Sequence, residues 1–126
     1  MHRTVQFKST WVNEPVFDEN DNQEAPGARD LAEAIAAVVA DHVSAVTRVE
    51  NHSYYGWSFD SSYDGATFEH VLNPVDDEGY LTVRYVGFLV DRIRFRKPGK
   101  RFDKYCELLR TVLPLVEKTS DFEWTD

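Results

Sequence analysis

The sequence predicts an α+β fold in which two helices pack on one face of a mainly antiparallel sheet. Apolar residues recur every three or four positions over residues 28–45 and again after Pro98-Gly99, which is the spacing of a helix with one buried stripe. Elsewhere apolar and polar residues alternate, as they do in strands that bury one face. We therefore expect one domain, 1–126, ordered β-α-β-β-β-(β)-α-β and folded as a two-layer sandwich.

The first strand and the first helix are each predicted from their apolar positions. Val5, Phe7 and Trp11 alternate with polar residues, so this strand buries one face. The helix over 28–45 places His42 at the margin of its apolar stripe, where a structural histidine is more frequent than a metal ligand. The residues of that stripe are Leu31, Ile35, Val38 and Val39.

The stretch NEPVFDENDNQEAPG (13–27) joins these two elements. It is acidic and rich in turn-forming residues, which predicts an exposed loop and the longest connection in the chain. The whole chain has 22 acidic and 14 basic residues and a formal net charge of −8, which favours a basic protein partner over nucleic acids or anionic membranes. The residues expected to contact that partner are Asp18, Glu19, Asp21, Asp76, Asp77, Glu78 and the exposed aromatic Tyr54.

A hairpin within SYYGWSFDSSYDGATFEHVL (53–72) is the clearest local prediction. Asp64-Gly65 accepts positive φ at both positions, as a two-residue hairpin turn requires. Residues whose numbers sum to 129 then face each other, so that Trp57 opposes Leu72. This register puts aromatic residues on one face and mostly polar residues on the other, which supports it. A short strand over 46–50 is expected before the hairpin.

The remaining elements complete the sheet and the helix layer. The loop NPVDDEG (73–79) separates the hairpin from a third alternating strand over 81–85, and residues 88–97 fit both a strand and a short amphipathic turn. Pro114 ends the second helix, and DFEWT (121–125) predicts a final strand. The apolar stripe of the second helix consists of Phe102, Tyr105, Cys106, Leu109, Val112 and Leu113.

No motif in the sequence specifies a reaction, a cofactor or a metal. The four histidines lack metal-ligand spacing, and Cys106, the only cysteine, falls on the buried stripe of the second helix, where a thiol is inert. We therefore predict a non-enzymatic protein with no catalytic residue, no metal site and no cofactor. The alternative is a small-ligand or enzymatic domain with a pocket between sheet and helices, lined by Tyr55, His70, Tyr85 and Cys106.

A basic segment runs against the acidic character of the chain, since seven of the fourteen basic residues lie in RIRFRKPGKRFDKY (92–105). Two of them fall in the first turn of the second helix, where positive charge opposes the helix dipole. A solvated edge that discourages aggregation is favoured over an anion or acidic-protein contact. Nucleic acid is least favoured, because the aromatic residues that would stack bases belong to the core. An anion contact would involve Arg92, Arg94, Arg96, Lys100 and Arg101.

Several segments together resemble small bacterial α+β proteins of the immunity-protein type, most of them uncharacterised. These segments are PGARDLAEAIAAVV (26–39), YYGWSF (54–59) with the DG hairpin that follows, and the F-x-W strand at the C-terminus. The resemblance implies a binding role and carries over no catalytic residue. The N-terminal MHRTVQFKSTWV contains no apolar stretch of signal-peptide length, so we expect a cytosolic protein without membrane insertion.

Overall fold

Nine strands and two α-helices make up the described part of the chain, which in this computed structural model comprises residues 1–25, 27–53, 56–86 and 98–125. The strands are β1 (His2–Ser9), β2 (Val16–Phe17), β3 (Gln23–Ala25), β4 (Ala45–Val46), β5 (Glu50–Ser53), β6 (Gly56–Tyr63), β7 (Ala66–Val75), β8 (Glu78–Tyr85) and β9 (Thr119–Thr125). The helices are α1 (Arg29–Ala40) and α2 (Pro98–Val112), and α2 continues into a 3₁₀ turn, Leu113–Leu115.

Seven of the strands form one antiparallel sheet in the order β4–β6–β7–β8–β1–β9, and β5 also pairs with β6. The first strand, β1, lies between β8 and the last strand, β9. Strands β2 and β3 form a separate small hairpin. The two helices contribute their apolar residues to a single core with one face of the sheet. The predicted α+β class is therefore confirmed.

The β6–β7 hairpin has the predicted register. Trp57 faces Leu72, and the other predicted pairs are present. Asp64 and Gly65 have φ values of 52° and 74°, the left-handed conformation that the predicted two-residue turn requires. The buried face of the hairpin consists of Trp57, Phe59, Ser61, Ala66, Phe68, His70 and Leu72.

The predicted loop over 73–79 is instead a second tight hairpin. β7 continues to Val75 and β8 begins at Glu78, and these two residues face each other across the turn Asp76-Asp77. Asp76 has a φ of 54°, a conformation that aspartate tolerates better than most residues. The Asn-Pro pair before Val75 favours a loop by composition, but pairing along β8 holds it in the strand.

Two further segments differ from the prediction. The loop predicted over 13–27 contains the small hairpin β2–β3, and the single strand predicted over 46–50 is replaced by two short strands, β4 and β5, which both pair with β6. In each case pairing with a neighbouring strand stabilises extended backbone in a stretch too short or too polar to be recognised from its composition.

The two helices present their predicted stripes to the sheet. In α1 the buried residues are Leu31, Ala32, Ile35, Ala36 and Val39. This helix ends at Ala40, so His42 lies in the following turn and is exposed, and its predicted place at the core margin is wrong. Every residue of the predicted stripe in α2 is buried, and Pro114 lies in the 3₁₀ turn that ends the helix, as predicted. Within the described residues no helix is long and apolar enough to cross a membrane.

Candidate functional site

The core encloses a chain of three hydrogen-bonded polar side chains: Ser61 on β6, His70 on β7 and Tyr105 on α2. The Ser61 hydroxyl donates to the Tyr105 oxygen at 2.7 Å, and this oxygen lies 2.6 Å from His70 Nε2. His70 Nδ1 lies 3.2 Å from the carbonyl oxygen of Phe59. A neutral His70 satisfies these contacts when Nδ1–H donates to Phe59 and Nε2 accepts the Tyr105 hydroxyl proton.

This buried network is closed to solvent, since its three side chains are at most 1% exposed. The Phe59 ring stacks on His70 with centroids 4.3 Å apart, and Phe68 stacks on Tyr105 at 4.0 Å. Burial lowers the pKa of His70 to about 4 and raises the pKa of Tyr105, so both side chains are neutral at physiological pH. A substrate cannot reach these groups, and the network stabilises the contact between the sheet and α2.

Two other residues predicted to line a pocket between sheet and helices, Cys106 and Tyr85, pack in or against the core. Cys106 is fully buried, and burial raises the pKa of its thiol, which fits a structural cysteine. Tyr85 is half-buried and stacks edge-on against Phe68, while Tyr55 lies outside the described residues. In the part of the chain that the structure describes, every buried side-chain nitrogen and oxygen has a hydrogen-bond partner. Among these residues the core therefore contains no buried polar side chain without a hydrogen bond.

An exposed arrangement of a different kind surrounds the small hairpin β2–β3. Val12, Val16 and Phe17 are 72%, 52% and 55% exposed, although each is a large apolar side chain. Residues 10–25 contain five carboxylates and no lysine or arginine, and the β7–β8 turn adds two more carboxylates. We call this region the hairpin surface and define it by Val12, Glu14, Val16, Phe17, Asp18, Glu19, Asp21, Glu24, Asp76 and Asp77.

The base of the hairpin surface is held against the body of the protein. Asn13 Nδ2 donates to the carbonyl oxygen of Asp76 at 3.1 Å, which ties the start of the segment to the β7–β8 turn. Trp57 Nε1 donates to the carbonyl oxygen of Gly27 at 2.9 Å, which ties down its end. Gly27 packs so closely on Asn13 that a Cβ atom at position 27 would lie 2.8 Å from the Asn13 carbonyl carbon. Residues 13 and 27, the two ends of the segment that carries the β2–β3 hairpin, are therefore in contact with each other and are hydrogen-bonded to the β7–β8 turn and to β6, respectively.

Three of the predicted partner contacts lie at the tip of this hairpin. Asp18 Oδ1 accepts hydrogen bonds from the backbone N–H groups of Asn20 and Asn22, both at 2.9 Å. This carboxylate therefore shapes the turn in addition to carrying charge. Glu19 and Asp21 are exposed on the same tip, and Asp21 has a φ of 60°. The tip is thus an ordered turn that presents negative charge.

The remaining predicted contacts fall elsewhere. Asp76 and Asp77 are exposed in the β7–β8 turn, beside the anchored base of the hairpin. Glu78 lies on the open face of the sheet, where its carboxylate accepts hydrogen bonds from Gln6 and Tyr80, both at 3.0 Å. Tyr54 lies outside the described residues. Within the described ranges, no three His, Cys, Asp or Glu side chains are placed to hold a metal ion.

A cleft of about 230 Å³ opens between the hairpin surface and the N-terminus of α1. Its apolar wall is formed by Val12, Val16, Ala28 and Trp57, and Glu14 and Asp30 add carboxylates. Arg29 also lines the cleft, but its guanidinium lies 3.3 Å from the Glu33 carboxylate and over the Trp57 ring at 5.6 Å. The charge of Arg29 is therefore compensated from within its own helix.

The described basic residues of the 92–105 segment lie at the start of α2. Lys100 and Arg101 lie in the first turn of this helix, as predicted; Lys100 is exposed and Arg101 half-buried, and this turn contains no acidic residue. Lys104 lies 3.5 Å from the Asp64 carboxylate at the tip of the β6–β7 hairpin. Residues 88–97, whose structure the sequence left open, lie outside the described residues, and so do three predicted anion contacts, Arg92, Arg94 and Arg96.

Comparison with protein-family models, with curated proteins and with solved structures finds no match to this chain. The two arrangements in the described residues that combine unusual side chains are the buried network and the hairpin surface. Of these two, only the hairpin surface is open to solvent, and it exposes three large apolar side chains within residues 12–17.

The sequence predicted five of the seven carboxylates of the hairpin surface as partner contacts but missed Glu14, Glu24 and the apolar residues. Val12, Val16 and Phe17 were the available signal, because large apolar side chains are unusual in so polar a stretch. Their exposure cannot be read from the sequence, since an apolar residue in a loop is equally compatible with packing onto the core.

Proposed function

We propose that this chain is a non-enzymatic, cytosolic protein-binding module that holds a basic partner protein on the hairpin surface. The supporting observation is that one anchored hairpin combines exposed apolar side chains with a group of carboxylates that has no basic residue within it. Apolar residues at the centre of an interface supply affinity, and charges around them steer a partner of opposite sign. The contacts of Asn13 and Trp57 hold the surface in place beforehand, which reduces the entropy lost on binding.

Within this class we propose an immunity-type inhibitor that caps a basic toxin such as a nuclease. The net charge of −8 and the resemblance of the sequence to immunity-type proteins support this proposal. A nuclease binds its substrate through basic residues that neutralise phosphates. Carboxylates on an inhibitor can occupy the same residues, so inhibition of this kind needs no catalytic group.

The test is affinity capture from the native host with two surface variants, followed by titration calorimetry of the purified partner. The apolar variant is the double substitution Val16→Ser/Phe17→Ser, and its control on another surface is Val86→Ser. The charge variant is the double substitution Glu19→Gln/Asp21→Asn, and its control on another surface is Asp41→Asn/Glu107→Gln.

We expect a basic protein that binds the wild-type chain and both controls with equal affinity. The apolar variant should lose about tenfold or more in affinity, and the charge variant should lose less and be less sensitive to salt. A partner that binds all variants equally, or capture of no partner, would contradict the proposal. The inhibitor role is tested by co-expressing the chain with the partner. If the partner arrests growth, the wild-type chain and the Val86→Ser control should relieve the arrest, and Val16→Ser/Phe17→Ser should not.

The proposal also predicts no appreciable binding to duplex or single-stranded nucleic acid at physiological salt. The acidic net charge opposes it, and the large aromatic residues Phe59 and Phe68 are buried in the core, where they cannot stack on bases. Fluorescence anisotropy with labelled oligonucleotides measures this directly. Sub-micromolar affinity that falls with added salt and vanishes in Arg92→Ala/Arg94→Ala/Arg96→Ala would show that the basic segment has a nucleic-acid role.

A further inference from the structure

We infer that the partner anchors itself with a single apolar side chain, which enters the cleft between the hairpin surface and α1 and is flanked on the partner by lysine or arginine. This inference rests on the proposed function and specifies the chemistry that the hairpin surface recognises. It follows from the size of the cleft, the nature of its wall and the charges around its mouth.

The size and wall of the cleft fit one apolar side chain. Its volume of about 230 Å³ is below the roughly 300–1,000 Å³ of sites that enclose small molecules. Val12 and Val16 line it and are more than half exposed, whereas Trp57, which also lines it, is buried. An apolar group in the cleft would cover both valines and remove their surface from water. A polar group would cover the same surface but would lose its own hydrogen bonds to water, which costs free energy.

The charges around the cleft favour basic residues on the partner next to its apolar side chain. Glu14 and Asp30 line the cleft, and the neighbouring turn carries Asp76 and Asp77, all of them exposed. The cation in the lining, Arg29, already has a carboxylate partner in its own helix. Basic residues beside the anchor would therefore be attracted by the carboxylates of Glu14 and Asp30, whereas acidic residues would be repelled. A central apolar anchor within a charged rim is the usual arrangement of a protein–protein hot spot.

The test is an NMR titration of the full ¹⁵N-labelled chain with three capped tripeptides, Arg-Leu-Arg, Arg-Ser-Arg and Glu-Leu-Glu. We expect Arg-Leu-Arg to shift the amides of Val12 and Val16 and the indole N–H of Trp57. The serine peptide should bind at least about tenfold more weakly, because it lacks the apolar group. The glutamate peptide should produce no shift at these positions.

Two protein variants make the titration specific to the cleft. Val16→Ser should weaken binding of Arg-Leu-Arg about tenfold, whereas Val86→Ser, an exposed valine beyond the end of β8, should leave it unchanged. Equal binding of the leucine and serine peptides, shifts confined to other surfaces, or no binding of Arg-Leu-Arg at millimolar concentration would overturn the inference. The proposed function would still stand after such a result if the captured partner needed Val16 and Phe17 for binding. If the captured partner bound equally well without them, the proposed function itself would be overturned.

Discussion

Two regions of the molecule, the hairpin surface and the buried network around His70, differ in how far their side chains are satisfied by contacts within the protein. In the network each polar atom is hydrogen-bonded, and aromatic rings close it to solvent. On the hairpin surface Val12, Val16 and Phe17 are exposed among carboxylates. Ser61, His70 and Tyr105 thus use their polar groups to bind one another inside the core. The segment over 13–27, whose composition predicts an exposed loop, carries two of the exposed apolar side chains, Val16 and Phe17.

Trp57→Ala should have the largest effect on stability, because Trp57 connects the core to the base of the hairpin surface: its ring packs in the core and its indole N–H donates to the carbonyl oxygen of Gly27. We expect the free energy of unfolding to fall by about 3–5 kcal/mol, as for other buried aromatic residues. Urea denaturation measures it. Trp57→Phe keeps much of the ring volume and should cost less, and similar losses for the two variants would show that the hydrogen bond to Gly27, rather than packing, dominates.

Acidification should weaken the buried network next most strongly. The pKa of His70 is about 4 in the folded protein and 6.5 ordinarily, so between these pH values the unfolded chain binds a proton that the folded protein does not. The free energy of unfolding should therefore be undiminished above pH 6.5 and lose about 3 kcal/mol from this group as pH falls to 4. Urea denaturation of wild type and His70→Gln across this range isolates the contribution. Parallel pH profiles for the two proteins would contradict it.

Tyr105→Phe should cost about 1–3 kcal/mol, because it leaves His70 Nε2 and the Ser61 hydroxyl buried without their shared partner. Adding Ser61→Ala should recover part of this loss, since it removes one of the two unpaired groups. Tyr63→Phe, on a half-buried tyrosine outside the network, is the control and should change stability by less than about 0.5 kcal/mol. If Tyr105→Phe lost as little stability as the control, the buried network would contribute little to the free energy of unfolding.

The hairpin surface should show the smallest effect on stability. Val16→Ser and Phe17→Ser replace exposed side chains, so we expect each to change the free energy of unfolding by less than about 0.5 kcal/mol. The same substitutions are those expected to weaken partner binding. Thermal or urea unfolding therefore separates the two regions: a loss above about 2 kcal/mol in either variant would mean that these residues pack in the fold and do not form a free surface.

The sequence by itself determined the elements whose signals are local. The Asp64-Gly65 turn defines the register of the β6–β7 hairpin, and strict alternation on both strands defines its buried face. The stripe of α2 and its end at Pro114 follow from helical periodicity and from the missing N–H of proline. In each case residues a few positions apart carry the whole signal, so no distant partner has to be known.

Only the tertiary structure decided which distant residues meet. It placed β1 beside β9, with Thr4 facing Thr125, and joined His70 to Tyr105 across 35 positions of the chain. It also left Val16 and Phe17 exposed on a short hairpin that the composition did not reveal. The physical reason is that periodicity and turn preference act over a few residues. Long-range pairing and exposure depend instead on how the whole chain closes and on what remains to cover each surface.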